Sequence, residues 1–121
     1  MATKLSVKQQ AQLALLETIR PKLEQVHRII EELAMFRADE GSNKRLSRLL
    51  DEIKAGAGEI GLLGVADTAG MMAMLARRTG GLQMRVRGLR EGLVGLKINM
   101  EGAIRAATTP APEVTDEPRD G

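Results

Sequence analysis

Residues 82–107 read LQMRVRGLREGLVGLKINMEGAIRAA and decide the fold class. Their apolar residues recur at steps of three and four, which places them on one face of a helix. These residues are Leu82, Val86, Leu89, Leu93, Leu96, Met100 and Ile104. Such spacing over a long stretch is typical of the seam between antiparallel helices. We therefore predict that this stretch is the last helix of an all-α protein, which is either an antiparallel four-helix bundle or a bundle of five helices.

The first third of the chain carries two helical runs that meet at Pro21. Residues 4–19 and 21–37 have apolar residues in helical spacing, apart from a break around the proline. A proline is tolerated in the first turn of a helix, and Thr18 is a suitable cap for a helix that begins there. One kinked helix and two abutting helices therefore both fit this part of the sequence.

The middle of the chain predicts two more helices. A turn at residues 38–43 precedes them, in which Gly41 ends one helix and Ser42 or Asn43 caps the next. The apolar residues that follow again recur at steps of three and four. The two predicted helices span residues 44–61 and 65–78.

The composition favours helices and speaks against most enzyme chemistry. The chain has 121 residues, 43% hydrophobic and 28% charged, which favours one soluble domain. It contains one phenylalanine and neither tyrosine nor tryptophan, whereas β-sheets are enriched in aromatic residues. The absence of cysteine excludes disulfides, thiolate zinc sites and cysteine nucleophiles, and a single histidine leaves no His-rich metal site. We expect no enzymatic activity, no cofactor and no metal.

Charge is divided unevenly between the body of the chain and its C-terminus. Residues 108–121 contain four acids, one arginine and three prolines, and we predict that they form a disordered acidic tail with a net charge of −3. Residues 1–107, the predicted bundle domain, therefore carry +5 of an overall net charge of +2. That charge is too small to indicate a nucleic-acid partner. We expect a cytoplasmic protein, because neither a leader-like segment nor eighteen consecutive apolar residues are found.

The last predicted helix contains four glycines between residues 88 and 102. They are Gly88, Gly92, Gly95 and Gly102. Each glycine inside a helix costs about 1 kcal/mol relative to alanine. Close packing against a neighbouring helix is the compensation that we expect. A homodimer through this glycine face is the alternative.

Residues 51–61 read DEIKAGAGEIG and carry the most specific signal in the chain. Residues 55–58 are all small, so that one full turn of the predicted helix has little side-chain bulk. Another surface can therefore approach the backbone closely. Two glycines weaken a helix, which suggests that the pattern serves packing or a partner rather than helix stability.

This stretch resembles the signature of histidine-containing phosphotransfer (HPt) domains, the helical-bundle modules of multistep two-component phosphorelays. The matching residues are Ile53 for Leu, Lys54 for Lys, Ala55 and Gly56 for Gly and Ser, and Ile60 with Gly61 for the apolar–glycine end. The resemblance covers about residues 23–105. It implies a four-helix bundle whose second helix meets receiver domains.

The chain departs from that family at the phospho-accepting position, where Asp51 stands in place of histidine. A carboxylate is a poorer nucleophile than imidazole and repels an incoming phosphoryl group. Aspartate phosphorylation in receiver domains needs a magnesium ion and an acidic pocket. The resemblance therefore implies a degenerate bacterial module that docks a receiver domain or a histidine kinase without carrying phosphate. The implied docking face consists of Asp51, Lys54, Ala55, Gly56, Gly58 and Glu59. The plain alternative is a solvated helix face with no binding role.

His27 is a second candidate phosphate acceptor. Glu24 and Glu31, at helical spacing, are placed to orient its ring. An active phosphocarrier that uses His27 is therefore an alternative function, against the simpler interpretation of His27 as a surface residue. A structural helical dimer or scaffold protein is a further alternative.

Arginines flank the predicted turn at residues 79–81. Arg77, Arg78 and Arg85 are a candidate patch for an anionic partner: phosphate, an acidic protein surface or the acidic tail. The simpler interpretation is again a solvated charged surface.

Overall fold

The computed structural model describes residues 5–37, 39–78 and 81–110, without the side chain of Glu40. Within these residues the chain forms four α-helices and no strand. The helices are α1 (Val7–Ala34), α2 (Glu40–Glu59), α3 (Leu63–Arg77) and α4 (Leu82–Thr108). The prediction of an all-α four-helix bundle is confirmed. The predicted tail lies outside the described residues from position 111 onward, and α4 extends one residue beyond the predicted boundary at 107.

Helix α1 is continuous through Pro21, so the interpretation as two abutting helices is wrong. Thr18 does not cap a second helix, because its hydroxyl donates to the carbonyl of Leu15 at 2.7 Å. The helix instead begins at the N-cap Ser6, where the Ser6 and Gln9 side chains form a reciprocal capping box. Pro21 is exposed, so the ring meets solvent rather than the core.

Helix α2 begins earlier than the sequence indicated. Asp39 is its N-cap, and its carboxylate accepts a hydrogen bond from the backbone N–H of Ser42 at 3.0 Å. The predicted cap Ser42 is thus the third residue of the helix, and Gly41 lies inside it rather than ending its predecessor. Hydrogen bonds from Ser42 hold the pKa of Asp39 below its usual value.

The four helices form a closed ring in which each packs against its chain neighbours and α1 packs against α4. Short connections make sequential helices antiparallel. Side-chain contacts agree: near the start of α1, Gln9 donates to the carbonyl of Ala106 at the end of α4. Near the other end of the bundle, Arg90 forms two hydrogen bonds with Glu31, at 2.7 and 3.0 Å, which lower the pKa of that carboxyl group. The pairs α1–α4 and α2–α3 therefore lie on opposite sides of the bundle.

The core is built from aliphatic side chains, methionine and alanine. All seven residues of the stripe in 82–107 face it, five of them buried and Leu82 and Ile104 at its edge. Leu46, Leu50 and Ile53 supply the corresponding stripe of α2. Among the described residues, no helix is long and apolar enough to cross a membrane.

The glycines of α4 let α3 approach closely. A Cβ atom on Gly92 would lie 2.6 Å from Cγ of Met72, and one on Gly88 would lie 3.1 Å from Cδ1 of Leu75. Gly95 faces Thr68, whereas Gly102 has nothing within 4 Å of a Cβ position. Close packing within the fold is therefore confirmed for Gly88 and Gly92. A homodimer through the face 88–102 stays a prediction, and α3 already covers most of that face.

We predict opposite effects for alanine at two glycines of α4. Gly102→Ala adds helix propensity at an open position and should raise the free energy of unfolding by up to about 1 kcal/mol. Gly92→Ala forces the buried Met72 to move, at a cost of about 1–3 kcal/mol that outweighs the gain in propensity. Urea denaturation followed by circular dichroism measures both values. Equal stabilisation of the two variants would contradict the close contact between α3 and α4.

Candidate functional site

The outward side of α2 presents a surface that is poor in side chains. Asp51, Ala55 and Gly58 lie at steps of four and three, and therefore on one face of the helix. Ala55 and Gly58 are exposed, and nothing lies within 4 Å of a Cβ position on Gly58. We call this surface, completed by the exposed Lys54 and Glu59, the α2 face. It is open enough for another helix or loop to reach the backbone of α2.

Gly56 lies on a different side of α2 from the other residues of the predicted docking face. A Cβ atom there would lie 3.2 Å from Cδ1 of Leu15 in α1, so this glycine serves the packing of α1 against α2. The two glycines of the motif thus have different roles. Gly56 fits helices together, and Gly58 leaves open space.

Lys54 extends across the neighbouring helix. Its Cδ, Cε and Nζ atoms lie 3.2–3.7 Å from the position that a Cβ atom on Gly70 of α3 would take. The aliphatic part of the lysine therefore packs over α3, while the residue as a whole is exposed. Its Nζ atom lies over α3, 3.7 Å from the same Cβ position on Gly70.

The carboxylate of Asp51 forms an ion pair with Arg77 at the end of α3. The two side chains are 46% and 52% exposed, so the pair lies at the surface. Asp51 is therefore a charged group that already has a cationic partner from the adjacent helix. Motif analysis did not predict this pairing, because it depends on how α2 and α3 are aligned.

Asp51 and Arg77 lie within a groove that we call the basic groove, with a cavity volume of about 680 Å³. It brings the three arginines of the predicted anionic-partner patch together with the start of α2. Its lining residues are Asn43, Lys44, Ser47, Arg48, Asp51, Glu52, Ala55, Ala76, Arg77, Arg78 and Arg85. Five of them are cationic and two are acidic. The groove therefore has a positive field, and it adjoins the α2 face at Ala55.

Two side chains of the basic groove have buried polar atoms without a partner. Arg85 donates from Nη1 to the carbonyl oxygen of Arg78 at 2.6 Å, but its Nε is buried and makes no hydrogen bond. The Oδ1 atom of Asn43 is also buried and accepts no hydrogen bond. Asn43, Lys44 and Arg48 were not predicted from the sequence to be residues of a binding site. The steps of four and three from Lys44 through Arg48 and Asp51 to Ala55 were the available signal.

His27 lies on the opposite side of the bundle, at a groove between α1 and α4. It is exposed, and it shares this groove with Glu24, Glu101 and Lys97. Glu31, the other acid expected to orient its ring, is engaged by Arg90. A phosphocarrier role for His27 stays a prediction.

Comparison of the chain with models of known protein families, with curated proteins and with solved structures gives no significant match in any of the three. The fold and the site define a four-helix bundle with an open, charged face on its second helix.

We predict that the pair formed by Asp51 and Arg77 contributes little to stability. Exposed ion pairs contribute about 0–1 kcal/mol, because solvent screens them and ordering two side chains costs entropy. A double-mutant cycle with Asp51→Asn and Arg77→Gln, measured by urea denaturation, should therefore give a coupling of no more than about 1 kcal/mol. A coupling well above this value would show that the pair holds α2 and α3 together, and would make it a structural element rather than an available binding group.

Proposed function

We propose that this protein is a non-catalytic docking module of a bacterial two-component phosphorelay. It binds a receiver domain or a histidine kinase in the cytoplasm and modulates signalling without carrying phosphate. The observation that carries this proposal is the α2 face, where Ala55 and the open position at Gly58 adjoin the charged Asp51 and Lys54. This is the same part of the second helix through which, by resemblance, HPt domains meet receivers.

Charge around the α2 face supports an acidic partner. Lys54 gives the face one positive charge, and the basic groove next to it adds an excess of positive charge. A receiver domain offers an acidic pocket where it binds magnesium and phosphate. Complementary fields accelerate encounter and fix orientation, while the flat surface at Ala55 and Gly58 allows close contact.

The surroundings of Asp51 support docking rather than phosphate transfer. Its carboxylate is engaged with Arg77, so the negative charge is balanced and the oxygen atoms are less available for attack on phosphorus. A partner can therefore be recognised at this position without any group being transferred.

We predict that a bulky side chain at Gly58 weakens docking. Gly58→Gln places a long side chain on the α2 face and should weaken binding by more than about tenfold, the effect of a steric block that displaces central contacts. Gly102→Gln is the matched control, because Gly102 is also an exposed helical glycine with open space around it, but it lies in α4. Isothermal titration calorimetry against a panel of bacterial receiver and histidine-kinase domains measures both.

Three results would contradict this proposal. The first is that no receiver or kinase domain in the panel binds the protein. The second is equal binding by the variants Gly58→Gln and Gly102→Gln, which would place the interface elsewhere. The third is transfer of label from a phosphorylated receiver to this chain, which would make it a carrier; loss of that label in a His27→Ala variant would assign the acceptor.

A further inference from the structure

The basic groove carries more positive charge than its own acids balance. Asp51 forms an ion pair with Arg77, and Glu52 forms one with Lys22 of α1 at 3.5 Å. Among the side chains that the structure describes, no carboxylate pairs with the other four cations of the groove. They are Lys44, Arg48, Arg78 and Arg85. Several cations that converge on one concave surface favour a ligand with a compact negative charge, and arginine forks match the geometry of phosphate.

A second observation concerns Arg85 and Asn43, two residues that line the basic groove. Over the described residues, Nε of Arg85 and Oδ1 of Asn43 are the only buried side-chain nitrogen or oxygen atoms without a hydrogen bond. Buried polar atoms without a partner are costly, which favours an added group that satisfies them. The Nε of Arg85 needs an acceptor, and Oδ1 of Asn43 needs a donor. A suitable ligand therefore has an anionic acceptor and a hydroxyl or amine donor.

The size and lining of the groove narrow the class of ligand. A volume of about 680 Å³ is in the range of sites for small organic molecules and exceeds what a single phosphate ion fills. The groove has no aromatic residue, since the only one in the chain, Phe36, lines a different groove at Leu82. Without an aromatic face there is no stacking platform for a nucleobase. Ser47 and Asp51 instead offer acceptors for sugar hydroxyl groups.

The acidic tail of the same chain is a poor occupant of the groove. Arg85 and Thr108 are 23 residues apart in α4, which corresponds to about 35 Å at 1.5 Å per residue. Glu113, five residues beyond Thr108, reaches at most about 18 Å at full extension. Glu117, nine residues beyond Thr108, spans at most about 32 Å and falls short of Arg85. Asp120 reaches the groove only with the chain largely extended, and such ordering costs about 1–2 kcal/mol per residue. The geometry therefore favours a separate ligand.

We propose that the basic groove binds a small sugar phosphate. The phosphate group lies among Arg78, Arg85 and Arg48 and accepts hydrogen bonds from their guanidinium groups. The sugar hydroxyl groups lie beside Asn43 and donate to the carboxylate of Asp51. This inference does not depend on the proposed docking function, because it concerns the protein alone.

Isothermal titration calorimetry of the full chain with ribose 5-phosphate tests this proposal. Sulfate, ribose and adenosine 5′-monophosphate are the comparison ligands. Ribose 5-phosphate should bind at least about tenfold more tightly than sulfate or ribose, since only it supplies both the anion and the hydroxyl donors. Adenosine 5′-monophosphate should bind no more tightly than ribose 5-phosphate, because the base has nothing to stack on.

Variants locate the site. Arg85→Gln and Arg48→Gln should each weaken binding by about tenfold, the effect of losing one charge-assisted contact. Arg85→Gln also removes the hydrogen bond from Arg85 to the carbonyl of Arg78, which can disturb the fold. Arg48→Gln removes no such bond and therefore tests the site independently. Arg87→Gln is the matched control, because Arg87 is exposed on α4 and pairs with Glu91 away from the groove. Asn43→Ala should weaken ribose 5-phosphate binding and leave sulfate binding unchanged.

Three results would overturn the proposal. Sulfate that binds as tightly as ribose 5-phosphate would show a general anion surface. Equal losses in Arg87→Gln and Arg48→Gln would show a diffuse charge effect. Absence of binding at millimolar ribose 5-phosphate would show that the groove holds no such ligand.

Discussion

Helices α3 and α4 lie close together because glycines of α4 leave room for side chains of α3. The fully buried Met72 occupies the space above Gly92, and Leu75 occupies the space beside Gly88. This contact compensates for the low helix propensity of the glycines. It also fixes the position of the C-terminal end of α3, and the candidate site depends on that end. A chain with one aromatic residue thus builds its core by close approach of helix backbones rather than with large rings.

The same packing places charges from three helices in one groove. Arg77, on the last turn of α3, reaches Asp51 in the middle of α2. The next residue, Arg78, ends the helix, and its carbonyl oxygen receives a hydrogen bond from Arg85 on α4. The C-terminal cap of α3 is therefore joined to the first turn of α4 by this hydrogen bond. Helix α2 lines this groove with its N-terminal half. Its exposed face therefore has cations near its start and small residues near its end.

Much of the fold follows from the spacing of apolar residues, whereas the helix ends and the charge pairs do not. The stripe of Leu46, Leu50 and Ile53 predicts a helix because burial requires one apolar face. The start of that helix was predicted four residues too late, because Gly41 resembles the glycine that ends a helix. In the structure Asp39 is the N-cap, and Gly41 lies within the first turn of α2. Pro21 was compatible with a break, and the structure accommodates it inside an exposed turn of one helix.

Local sequence specified the candidate site only in part. The small residues at 55–58 predicted an open helix face, and the arginines around residues 79–81 predicted an anionic-partner patch. Sequence could not show that these features adjoin, since the ion pair between Asp51 and Arg77 depends on the alignment of two helices. The sequence also did not show that the two glycines have different surroundings. Gly56 packs against Leu15 and Gly58 is open, because the two residues face different sides of α2.

We propose that the outward face of α2 is the surface through which this protein binds its partner. Nuclear magnetic resonance of the ¹⁵N-labelled full chain, titrated with bacterial receiver and histidine-kinase domains, tests it most directly. We expect the largest chemical-shift changes at Asp51, Ala55 and Gly58. Largest changes around His27 and Lys97, on the opposite side of the bundle, would contradict it, and so would an unchanged spectrum with every domain.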